Sequence, residues 1–148
     1  MLKKITCKIK SLGIKIKYCY LQEEDGIFDF FNNIPIIFIN ESLNELDTAL
    51  VLLHETAHFL NGDCDKYITN HFQNDNLEYE ANKYMIQEVM KMLDDKYEFT
   101  PDTNYQQIID SLNLPYHLDG VIFDEFNNII SDKFGMPPYY TTDYFYWN

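Results

Sequence analysis

Apolar and polar side chains alternate from Ile14 to Leu21, with Ile14, Ile16, Tyr18 and Tyr20 on one face. That period of two predicts a half-buried strand. A short basic helix over residues 2–12, ending near Gly13, precedes it. Asp25-Gly26 is a turn signal, and Ile27–Phe31 and Ile34–Ile39 follow as two more strands, joined at Asn32-Asn33. Beyond Ser42 the period lengthens. Ser42-x-x-Glu45 has the form of a capping box, and Leu43, Leu46, Leu50, Leu53, Ala57 and Leu60 recur at helical spacing until Asn61-Gly62. After a polar loop, Asp75-x-x-Glu78 predicts the opening of a second helix that runs to about Leu93.

Thr103 is placed to cap a helix over Tyr105–Leu112, and Asp119 to cap another through Ile130. The pattern therefore predicts an α+β domain over residues 1–132. It comprises a short helix, a three-stranded and mainly antiparallel sheet, two central helices and two further helices. Residues 133–148 hold Pro137-Pro138 and a Tyr/Phe/Trp cluster, the composition of either a flexible tail or an aromatic strap.

Composition narrows the class. In 148 residues, 46% hydrophobic and 24% charged residues suit one packed domain and argue against disorder. Every positive charge is a lysine, and six of the 11 lie in the first 17 residues, where no acid occurs. Residues 18–148 then set 5 lysines against 24 acids, a charge of −19. A body this acidic repels phosphate backbones, so direct nucleic-acid binding is disfavoured and a basic protein partner is favoured. The apolar runs Ile34–Ile39 and Ala49–Leu53 are far short of the roughly 20 residues of a membrane span, and lysines interrupt any signal peptide. Cys7, Cys19 and Cys64 are odd in number and not closely paired, which suits free thiols and a cytoplasmic location.

The chemistry concentrates at His54-Glu55-Thr56-Ala57-His58. On a helix, residues i and i+4 share a face, so both imidazoles can reach one Zn²⁺, with Glu55 beside them as the base that takes a proton from zinc-activated water. Zinc needs a third protein ligand. A metzincin pattern would require a ligand at Cys64 and a glycine at Asn61, and Gly62 and Asp65 each miss by one position. A gluzincin pattern places a glutamate on a following helix, and Glu78 lies 20 residues after His58. At about 100° per residue, Glu78 shares an inward face with Ala81, Asn82, Met85 and Val89. Glu80 falls on the wet face with Lys83 and Gln87 and is the alternative ligand. Asp63 and Asp65 read as loop solvation. A partner for the developing oxyanion is open among His71, His117 and the tyrosines.

His54–His58 followed by Glu78-Tyr-Glu-Ala-Asn-Lys-Tyr84 resembles the ImmA/IrrE family of small metallo-endopeptidases, over about Ile14 to Met92. The resemblance implies a small zincin-like fold with His54, His58 and Glu78 as zinc ligands and Glu55 as catalytic base. It also implies that Asn82 steadies a ligand. Ala57 and Met85 depart from the family pattern, and no proline closes the second helix directly. The family implies a narrow-specificity endopeptidase whose substrate is a helix-turn-helix repressor, as in phages, mobile elements or stress responses. The alternative is a non-catalytic regulator that sequesters such a partner. Intact Glu55 disfavours it, because binding alone needs no base.

Overall fold

The computed structural model describes residues 1–63 and 71–135, and for residues 71–73 it describes the backbone alone. The chain divides into two compact units, Met1–Glu88 and Val89–Asn148.

In the first unit, α1 (Leu2–Ser11) buries Ile5 and Ile9 and leaves its lysines in water. Gly13 at φ +82° turns the chain into β1 (Lys15–Cys19). Strands β2 (Gly26–Phe31) and β3 (Ile34–Asn40) form a hairpin closed by Asn32 and Asn33, both at positive φ as a tight primed turn demands. The strand order is β1-β3-β2, with β2 antiparallel and β1 parallel to β3. The sheet is thus mixed and not mainly antiparallel. Alternation reports which face of a strand is buried, whereas strand direction depends on which neighbour it meets. Here β1 skips its successor in sequence and pairs with β3. Ile37 and Ile39 on the central strand are fully buried, while Tyr18 and Tyr20 are half or more exposed, so the apolar face of β1 fades towards its end.

Helix α2 (Glu45–Leu60) packs against β2, β3 and α1 through Ala49, Leu50, Leu52, Leu53 and Ala57. Its cap differs from the Ser42 box. Asn44 caps the helix, accepting from the Asp47 backbone N–H at 2.8 Å and donating back to the Asp47 carboxylate at 3.0 Å. Ser42 instead bonds the Asn40 side chain. Asn is at least as good a cap as Ser, and Asp47 supplies the reciprocal acid one turn on. Helix α3 (His71–Tyr97) begins earlier and ends later than its apparent cap predicts. Glu78 is therefore inside the helix, too far from its first turn to serve as an N-terminal cap. Ala81, Met85 and Ile86 of this helix are buried.

The second unit takes in the carboxyl end of α3 with α4 (Tyr105–Leu112) and α5 (Asp119–Phe134), and a single 3-10 turn at Tyr116–Leu118 precedes α5. Asn104, and not Thr103, caps α4, while Thr103 accepts from the Thr100 N–H. Phe99, Ile108, Leu112, Ile122, Phe126 and Ile130 form its core. Among the described residues no helix is long and apolar enough to cross a membrane. The Pro137-Pro138 stretch, Cys64 and Asp65 lie outside the described residues.

Candidate metal centre

Two faces of α2 divide its labour. The apolar face carries the core, and a second face at spacings of three and four holds Val51, His54, Glu55 and His58, all half-buried. Close approach of β2 puts Glu55 against the sheet. A Cβ at Gly26 would overlap Val51 Cγ1 and lie 3.4 Å from Glu55 Cγ, so only glycine lets the strand come this near.

Helix α3 brings Glu78 to both histidines. His54 Nε2 lies 3.0 Å from Glu78 Oε2, His58 Nε2 lies 3.1 Å from Glu78 Oε1, and the two Nε2 atoms are 3.2 Å apart. The rings meet edge to face, 80° between planes. With metal–ligand bonds of about 2.0–2.1 Å, a tetrahedral ion spaces its ligand atoms by roughly 3.3 Å. The two imidazole nitrogens stand close to that spacing, each with one Glu78 oxygen at a similar distance, and one ligand atom from each residue lies within 4.8 Å of the others, so His54, His58 and Glu78 can hold a divalent metal ion. Glu80 is exposed, as the helix-face argument expects.

The charges fit such a site. Hydrogen bonds from His54 and His58 hold the Glu78 carboxyl far below the usual carboxylate range, against a smaller opposing effect of burial. Burial works against charge on His58, yet hydrogen bonds to Glu78 and Asp63 outweigh it and raise that imidazole to about 9. Glu55 is pushed up to about 7, chiefly by burial; the two histidines and the Phe28 backbone N–H pull the other way. A carboxyl titrating near neutrality is suited to exchanging protons at working pH.

These shifts set the pH response of the metal-free chain. Glu55 and His58 both have folded values above their ordinary 4.5 and 6.5, so their stabilising contributions disappear as pH rises through about 7 and about 9. Glu78 is depressed, so its contribution is lost as pH falls below 4.5. Chelator-treated protein should melt highest near pH 4.5 and progressively lower towards pH 9. A melting temperature that climbs across that alkaline range would contradict these charge assignments.

One site residue was not legible as such, and one expected role is not seen. Asp63 is not a solvated loop acid: its side chain is 8% exposed and its Oδ2 accepts from His58 Nδ1 at 3.0 Å. Asn82 is half-buried on the inward side of α3, but among the described residues no hydrogen bond joins it to His54, His58 or Glu78. His71 is the first residue of α3 and its side chain lies outside the described ones. His117 belongs to the second unit, where it is exposed and stands edge-on to Tyr116.

The Peptidase_M78 family model, the IrrE N-terminal-like domain, matches residues 9–100. The chain belongs to this family. The IrrE N-terminal-like match spans the sheet, α2 with both histidines and Glu55, and α3 past Glu78, which identifies a metallopeptidase of the ImmA/IrrE type. No curated protein and no solved structure matches the chain significantly.

Proposed function

We propose that this IrrE N-terminal-like chain is a zinc-dependent endopeptidase of narrow specificity that cleaves a helix-turn-helix repressor. The observation that carries the reading is the grouping of His54, His58 and Glu78 around one metal-sized space, with a half-buried Glu55 one residue from the first ligand. Two nitrogens and one carboxylate leave the fourth position of a tetrahedral ion open, the signature of a catalytic and not a structural site. Bound zinc supplies Lewis acidity, activating water and polarising the scissile carbonyl.

The protein's own groups do the rest. Glu55 accepts a proton from the attacking water at its carboxylate and hands it on to the leaving amine. The close-lying Gly26 backbone stands against Glu55 from one side and limits access of water there. The free thiols Cys7 and Cys19 agree with a cytoplasmic setting. A charge of −19 over residues 18–148 complements a basic DNA-binding domain and discourages contact with DNA itself.

The test is incubation of the zinc-loaded chain with purified helix-turn-helix repressors. Zinc-loaded protein should cut one of them at a discrete bond, 1,10-phenanthroline should stop the reaction, and added zinc should restore it. A repressor bound tightly but left intact by the zinc-loaded chain would favour sequestration instead.

A further inference from the structure

The end of α2 is built as a cap that reaches back to the metal site. Leu60 is the last helical residue, Asn61 is its C-cap, and Gly62 follows at φ +71°. The Gly62 N–H donates to Phe59 O at 3.2 Å and the Asp63 N–H donates to His58 O at 2.9 Å. Those two bonds define a Schellman motif, and the left-handed residue in it is the one place where glycine is favoured. The motif has a geometric consequence. It folds the residue after the glycine onto the third residue from the helix end, and here that residue is His58.

Asp63 is therefore tied to His58 twice, through the backbone and through the side chains. Its carboxylate accepts from Nδ1 at 3.0 Å, while Nε2 of the same ring faces His54 and Glu78. With 8% of its side chain exposed, Asp63 is hardly available for hydration. A carboxylate against Nδ1 fixes the proton there, leaves the Nε2 lone pair free and makes that nitrogen a better donor. Asp63 is absent from the convergent group because it holds the opposite edge of the ring.

We infer that Asp63, presented by the Gly62 cap, is a positioning residue that locks the His58 tautomer and ring orientation for metal binding. The inference rests on the metal reading of the His54, His58 and Glu78 group. Through it the helix terminus becomes a working part of the centre: the stop signal that ends α2 also aims one of its ligands.

The test uses full-length protein stripped of metal, with zinc affinity measured by competition against a fluorescent chelator. Asp63→Ala should bind zinc about 10–100-fold more weakly than wild type. Asp63→Asn, close in shape and safe for the fold, keeps an acceptor but loses the charge; it should fall between the two. In the zinc-loaded wild type, the His58 Nδ1 proton should resonate far downfield and exchange slowly. In Asp63→Asn it should move upfield, a change that loss of mere loop packing would not produce. Wild-type affinity together with an unmoved Nδ1 proton in either folded variant overturns the inference while leaving the metal site intact. A wild type that takes up no zinc overturns both.

Discussion

Glu55→Gln should lose peptide-bond cleavage by about 10²–10⁴-fold while still binding zinc as the wild type does. Glutamine matches glutamate in size and has no proton-accepting carboxylate, so the close approach of Gly26 survives and only the base is removed. Glu55 is not among the converging ligand atoms, so the metal group is untouched. The substitution also removes a carboxyl that burial pushes to about 7. The metal-free variant should therefore lose the part of its stability loss that occurs between about pH 4.5 and 7. Cleavage by Glu55→Gln at the wild-type rate would mean that another group takes the proton, and the assignment of Glu55 would fall.

Glu78→Ala should bring the opposite division: Glu55 intact and the metal lost. The Glu78 carboxylate reaches both histidines, 3.0 Å from one and 3.1 Å from the other, and no other described residue completes that group. Loss of a supporting partner around a metal site costs about 10–100-fold in affinity, and loss of a direct ligand should exceed that. Thermal melts make the loss visible. Zinc at 100 times its dissociation constant stabilises a protein by about 2.7 kcal/mol, so wild type should melt several degrees higher in zinc and Glu78→Ala should not respond. Because Glu78 is 45% exposed, its pairing with the histidines adds little to metal-free stability, and the variant should fold. An undiminished zinc response in Glu78→Ala would transfer the third ligand elsewhere, with Glu80 the first to examine.

Most of what positions this site was legible in the sequence because the signals were local. Helix α4 follows the predicted Tyr105–Leu112 bounds, the Asn32-Asn33 hairpin forms where the turn residues stand, and the helix-face argument separated half-exposed Glu78 from exposed Glu80. What was not legible depends on which elements meet. The parallel β1–β3 pairing leaves no mark on the alternation of either strand. Asp75-x-x-Glu78 imitates a cap but lies within α3, where Glu78 answers to the histidines of another helix. Asp63 was missed for a subtler reason: in a polar loop an acid reads as solvation. The signal that could have found it was Asn61-Gly62 itself, since a glycine stop after a helix turns the next residue back onto the third residue from the end.

Elemental analysis of the purified wild-type chain decides whether the His54, His58 and Glu78 group holds one zinc ion. After incubation with zinc at neutral pH and exhaustive dialysis, about one zinc per chain should remain. A folded chain that retains none would contradict it and leave binding of a partner, without hydrolysis, as the function to pursue.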